Sequence, residues 1–258
     1  MDAFDWTRDL AEKLKTEFGE RAVFVGLQGS RARGEAHDGS DIDVVVLLDE
    51  MKVDDLVRYR SLVESMPNSE LACGFVGSAD VLALWPRHEL FQFYNDTVPI
   101  YGELPKVSPF TRDDAMQAAR IGASEIYHAA CHSIVFDGEA APGIVKSLLK
   151  NAFFVLQALQ YARRGVYPRS KAELSKLLDG DDLLVLETGE SWDACYLSDG
   201  GRLIELSGLL VRWSGSIMRS TTEEQVAVIE ESDDILQVST DDVLPDFEQR
   251  MSFPHRRT

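Results

Sequence analysis

Phe4, Trp6, Leu10, Leu14 and Phe18 recur at helical spacing, which predicts an amphipathic helix that ends at Gly19. The period then shortens. Residues 22–27 and 41–48 are apolar runs rich in Val, Ile and Phe, which predicts two buried strands. Between them, Gly29-Ser30-Arg31-Ala32-Arg33-Gly34 predicts a tight turn and a short polar segment. A helix over 53–66, a third strand over 71–76, a short helix over 86–94 and an edge strand over 99–102 complete this half. Leu90, Phe91 and Tyr94 are expected to pack on the sheet.

After a Pro-containing connector at 103–109 the pattern turns to long helical periods. Residues 113–136 are rich in Ala, Ile and Met, and 143–164 carry Ile144, Leu148, Phe153, Leu156 and Leu159 near helical spacing. The theme continues over 172–178 and 203–218, with Trp213 on an apolar face. The expected fold class is α+β, a mixed sheet with helices over residues 1–104 followed by an α-helical bundle over 110–219. Residues 220–258 hold repeated acidic pairs and no sustained apolar period, so they read as a mobile tail. Val226, Ile229, Ile235, Leu236 and Val238 in that tail leave room for a docking strand or helix.

The chemistry concentrates at Asp41-Ile42-Asp43, at the entry to the second strand. Residues two apart on a strand share a face, roughly 6.5 Å apart along the chain. Asp41 and Asp43 therefore look the same way while Ile42 enters the core. Two carboxylates so placed suit Mg²⁺, and such ions can clamp the attacking and leaving oxygens of an in-line phosphoryl displacement. The preceding turn offers backbone N–H groups and the Ser30 hydroxyl to phosphate oxygens. Gly29 would permit close approach, with Arg31 or Arg33 adding charge. Ser40 precedes the pair and belongs to the same constellation. A solvent-facing acidic edge strand beside an ordinary glycine turn is the competing reading.

Leu27-Gln28-Gly29-Ser30-Arg31-Ala32-Arg33-Gly34 through Ser40-Asp41-Ile42-Asp43 resembles the signature of the DNA polymerase β-like nucleotidyltransferase superfamily, and within it the minimal and antibiotic (kanamycin-type) nucleotidyltransferases. The resemblance implies a nucleotidyltransferase that uses Mg²⁺ and a nucleoside triphosphate, with Asp41 and Asp43 as metal ligands. Its members usually carry a third carboxylate on the next strand, and residues 71–76 contain none. Glu70 is the first candidate, Asp80 the second, and a site of two carboxylates the third possibility. More faintly, Ser124-Glu125-Ile126-Tyr127-His128 and Tyr167-Pro168-Arg169-Ser170-Lys171-Ala172 resemble the helical domain fused to kanamycin-type enzymes. That likeness implies a general base on the first long helix, where Glu125 and His128, three apart, share one face. His132 extends the face by one turn, a spacing that also allows zinc. Lys146 and Lys150, four apart on the following helix, are candidates for the triphosphate tail.

Charge and composition narrow the partners. A net charge of −18 argues against general nucleic-acid binding, which needs clustered Lys and Arg. Only part of it is local: residues 220–258 hold ten acidic and three basic side chains, so the body is acidic too. An acidic cleft would suit a cationic acceptor such as an aminoglycoside. There is no long apolar run for a membrane span and no basic-then-apolar start for a signal peptide. Cys73, Cys131 and Cys195 lack metal-finger spacing and fit reduced thiols, so a cytoplasmic protein is expected. The expected reaction is transfer of a nucleoside monophosphate, AMP from ATP first, onto a hydroxyl of a small molecule. A protein acceptor, as for antitoxin-type members, and a non-catalytic nucleotide-binding role are the alternatives.

Overall fold

The computed structural model describes residues 2–191 and 200–233. Residues 1–217 form one compact unit and 218–258 a second. The first unit opens with helix α1 (Ala3–Phe18), capped by the Asp2 side chain and closed at Gly19, whose φ is +60°. Strand β1 (Ala22–Gln28) leads into the one-turn helix α2 (Gly29–Arg33), and strand β2 (Ile42–Leu48) follows. Helix α3 (Val53–Glu64) crosses to strand β3 (Ala72–Ser78). Helices α4 (Ala79–Leu82) and α5 (Arg87–Asp96) then precede strand β4 (Val98–Gly102).

The sheet order is β3-β2-β1-β4. β1 pairs antiparallel with β2 and with β4, whereas β2 and β3 run parallel, as a crossover through α3 requires. Alternation along β2 separates two cores. Ile42, Val44, Val46 and Leu48 face α1 and α3 together with Val25 and Leu27. Val45 and Leu47 face the other side with Phe24, Leu82 and Leu90. Ile42 is fully buried, and Asp43 shares the parity of Val45 and Leu47. Gly26 has no side chain because the Phe24 ring and the Thr97 methyl occupy that space.

Four further helices are α6 (Arg112–Phe136), α7 (Ala141–Arg164), α8 (Lys171–Ser175) and α9 (Gly180–Glu190), and α10 (Gly200–Asp233) ends the described chain. α6 starts at a capping box formed by Thr111 and Asp114. Phe91, fully buried on α5, makes edge-to-face contacts with Phe110, Tyr161 and Tyr167, so sheet-side and helical residues share one aromatic junction. Arg87 adds an ion pair to Asp114 at 2.8 Å and hydrogen bonds to the Ser108 and Pro109 carbonyls. In α10, Trp213 is 1% exposed and its indole donates to Asp182 at 2.7 Å.

One helix, α9, was not expected from the sequence. α9 contains the unbroken run Leu183-Leu184-Val185-Leu186, which has no helical period; Val185 and Leu186 are buried while Leu184 stays exposed. The acidic segment from residue 220 continues α10 as helix to Asp233, with no Gly or Pro to interrupt 220–233. Residues 234–258, with the rest of that tail, and Cys195 lie outside the described residues. Among the described residues no helix is long and apolar enough to cross a membrane.

Candidate active site

Antiparallel pairing of β1 and β2 sets Gln28 opposite Asp43, so the turn that leaves β1 lies beside the carboxylates that enter β2. The fit there is close. Gly29 has φ +72°, and a Cβ at this position would fall inside the Asp43 carboxylate. Glycine is thus required twice, by the backbone angle and by the acid pressed against it. The Gln28 side chain donates to the Thr97 hydroxyl at 2.6 Å and to the Phe93 carbonyl at 3.2 Å, which ties the turn to the end of α5.

A cavity of about 410 Å³ opens on this corner. The turn contributes Gly29, Ser30 and Arg33, the following loop Glu35, His37, Ser40 and Asp41, and β2 Asp43. From α7 come Leu149, Lys150, Phe153 and Phe154; Lys171 of α8 and Leu186 with Gly189 of α9 close the far wall. The volume lies within the range of small-molecule sites, and the lining mixes an apolar wall with convergent charges. Burial and then the negative charge of Asp41 push the Asp43 carboxyl above its ordinary value; Asp96 adds to this, while Arg33 and Lys150 oppose it.

Seven residues anticipated from the sequence line this one cavity: Gly29, Ser30, Arg33, Ser40, Asp41, Asp43 and Lys150. Arg31 does not. Its guanidinium donates to the backbone carbonyls of Ser40 at 2.7 Å and Asp41 at 3.1 Å, so it clamps the loop that carries Asp41. Lys146 is exposed and does not line the cavity. Glu125 and His128 lie on the exposed face of α6, also away from the lining. His132 meets Asp137, the residue that ends α6, at 3.1 Å. Glu70 is exposed in a turn before β3, and exposed Asp80 is bound to the Ser78 side chain, which lowers its pKa. Among the described residues no three His, Cys, Asp or Glu side chains cluster as a metal site.

Three residues not anticipated from the sequence join the site. Asp96, at the end of α5, accepts from Gly29 N–H at 3.3 Å and from Arg33 at 2.9 and 3.2 Å. The Gly29 amide is therefore engaged by Asp96 rather than free for a phosphate. Glu35 pairs with Arg33 at 3.0 Å, and Arg33 lies 5.0 Å over the Phe153 ring. Lys171 is the third. Asp96 ends an ordinary polar helix terminus and Lys171 stands 128 residues beyond Asp43, so only the fold brings them here. A Gly-Ser turn thus lies flush against an Asp-x-Asp strand and faces a charged cavity.

Residues 7–75, from α1 into β3 and across the whole turn and Asp-x-Asp corner, match the family model described as the nucleotidyltransferase domain. Among solved structures the chain is similar to spectinomycin adenyltransferase AAD(9) from Enterococcus faecialis, crystallised with ATP and spectinomycin. Identity is 12% and the TM-score 0.46, over 78% of this chain and 97% of that one. No curated protein sequence matches the chain.

Proposed function

We propose that the protein is a Mg²⁺-dependent nucleotidyltransferase that moves a nucleoside monophosphate, AMP from ATP first, onto a hydroxyl of a small cationic molecule of the aminoglycoside kind. The observation that carries this reading is the contact of Gly29 with Asp43 inside a cavity that Asp41 also lines. Mg²⁺ takes only one or two protein carboxylates and keeps water and phosphate oxygens as its other ligands. Two hard-oxygen donors therefore fit it without a third acidic residue. When bound, the ion would supply charge neutralisation at the phosphates and polarise them for displacement.

The residues of the chain divide the remaining work. Ser30 offers a hydroxyl to phosphate oxygens at the turn, and Lys150 and Lys171 offer ammonium groups from the helical wall. The apolar faces of Leu149, Phe154 and Leu186 exclude water from the reacting centre. The acceptor oxygen bonds to the α-phosphorus, the bond from that phosphorus to the oxygen bridging the β-phosphate breaks, pyrophosphate leaves with the bond's electron pair, and the hydroxyl proton passes to water. A cavity walled within one chain supports a small acceptor over a second protein, and Asp41 and Asp43 supply the negative field that attracts a cation.

The test is pyrophosphate release with Mg²⁺, each of the four common nucleoside triphosphates and a panel of aminoglycosides and related amino sugars. Turnover that vanishes in Asp41→Asn and Asp43→Asn is the expected result. Undiminished turnover in the double variant defeats the assignment. Label from ATP appearing on a polypeptide of the lysate, and on no small molecule, would move the acceptor to the protein class.

A further inference from the structure

Glu35 carries two hydrogen bonds that belong to different parts of the chain. Its Oε2 accepts from Arg33 Nε at 3.0 Å, within the turn. Its Oε1 accepts from the backbone N–H of Lys171 at 2.6 Å, 136 residues further on. The carboxylate is sheltered, at 19% side-chain exposure, and Arg33 behind it is at 11%. Arg33 is itself fixed from the other side by Asp96, so Glu35 is braced and does not swing. The opening of α8 has an internal cap, in which Ser170 Oγ accepts from Glu173 N–H at 3.1 Å and Glu173 accepts from Arg169 N–H at 2.8 Å. That cap shapes the helix start but leaves open where it stands. Glu35 supplies the tie to the turn.

We propose that Glu35 is a positioning residue that fixes the backbone of Lys171 against the Gly29–Arg33 turn and so sets the Lys171 ammonium beside the bound phosphates. The inference rests on the nucleotide reading of the cavity and names the device that joins its two walls. Both partners of Glu35 are donors. A carboxylate accepts from both, whereas a glutamine amide offers one oxygen and turns an NH₂ toward the other donor. Aspartate keeps the charge but is one methylene too short to span the two. Neither replacement reproduces the bridge.

The experiment compares full-length wild type, Glu35→Gln, Glu35→Asp, Lys171→Met and Glu35→Gln/Lys171→Met. Binding of ATP and of inorganic tripolyphosphate, each with Mg²⁺, is measured by calorimetry, and hydrogen exchange is followed over residues 169–175. Lys171→Met is expected to weaken both ligands about tenfold, the scale of one lost charge-assisted contact. Glu35→Gln and Glu35→Asp are expected to match it, to raise KM more than they lower kcat, and to speed exchange at the Lys171 amide. The double variant should bind no more weakly than Lys171→Met alone. Wild-type affinity in a folded Glu35→Gln, or losses that add in the double variant, overturns the positioning role. If Glu35→Gln does not fold, Glu35→Asp gives the same comparison. Equal binding by wild type and Lys171→Met removes Lys171 from the phosphates and overturns the inference too. Absent pyrophosphate release from wild type, with the coupling intact, would defeat the transferase reading alone.

Discussion

The paired strands β1 and β2 end in opposite electrostatic arrangements. At one end Arg21 sits among acids that it satisfies: Asp49 at 3.1 Å, Asp55 through two bonds at 2.9 and 2.8 Å, and the Glu50 carbonyl at 2.9 Å. That guanidinium holds the Asp55 carboxyl down to about 2. At the other end Asp41, Asp43 and Asp96 crowd one corner, and Arg33 is shared between Asp96 and Glu35. There burial first, and then the charge of Asp41, push the Asp43 carboxyl up. One end of the sheet is arranged for folding, and the other holds unneutralised charge that a cation can relieve.

The largest expected effect falls at the crowded end. Asp41→Asn/Asp43→Asn should lower nucleotidyl transfer by on the order of a hundredfold or more, since metal clamps supply several kcal/mol of transition-state stabilisation. Pyrophosphate release measures it, and chelation of Mg²⁺ should reproduce the loss until the ion is restored. Next comes the far end: Arg21→Ala leaves Asp55, at 4% side-chain exposure, with only the longer 3.7 Å ion pair to Arg58. Its thermal midpoint should fall by several degrees while activity below that midpoint is retained. A fall in activity without a fall in midpoint would erase the distinction between the two ends.

The acid limb of stability sharpens the contrast. Because the Asp55 carboxyl is depressed in the folded state, its contribution is complete above the ordinary carboxylate value of 3.8 and is lost as pH falls toward about 2. Asp55→Asn should flatten that limb in a pH series of denaturant melts. Asp43 has the opposite sign. Its carboxyl is raised, so the folded state binds the proton more tightly than the unfolded one, and stability declines as pH rises through that window. Asp43→Asn should therefore raise the metal-free thermal midpoint slightly at pH 7 and leave it unchanged well below pH 3.8. It is the smallest of these effects, and it is opposed to the loss of activity in the same variant.

The part of the site legible in the sequence is the part built by neighbours along the chain. Gly29, Ser30, Ser40, Asp41 and Asp43 span fifteen residues, and an antiparallel pair necessarily returns the second strand's start to the first strand's end. The strands and most of the long helices follow from the same local periodicity. Lys150 was reachable as one of a helical pair with Lys146, although periodicity did not say which of the two faces the cavity. Glu70, Glu125 and His128 are set by tertiary packing instead, and the fold leaves all three exposed and outside the cavity lining. Asp96, Glu35 and Lys171 escaped for the same reason. Each earns its place through a partner between 63 and 136 residues away, or through a wall that α8 closes.

Arg31 reaches around the loop at residues 38–41 and grasps only main-chain oxygens. Every amino acid presents the same oxygen, so this grip is indifferent to the side chains at Ala36 and Asp38. Substitutions at those two positions should therefore leave the grip intact and Asp41 where it stands.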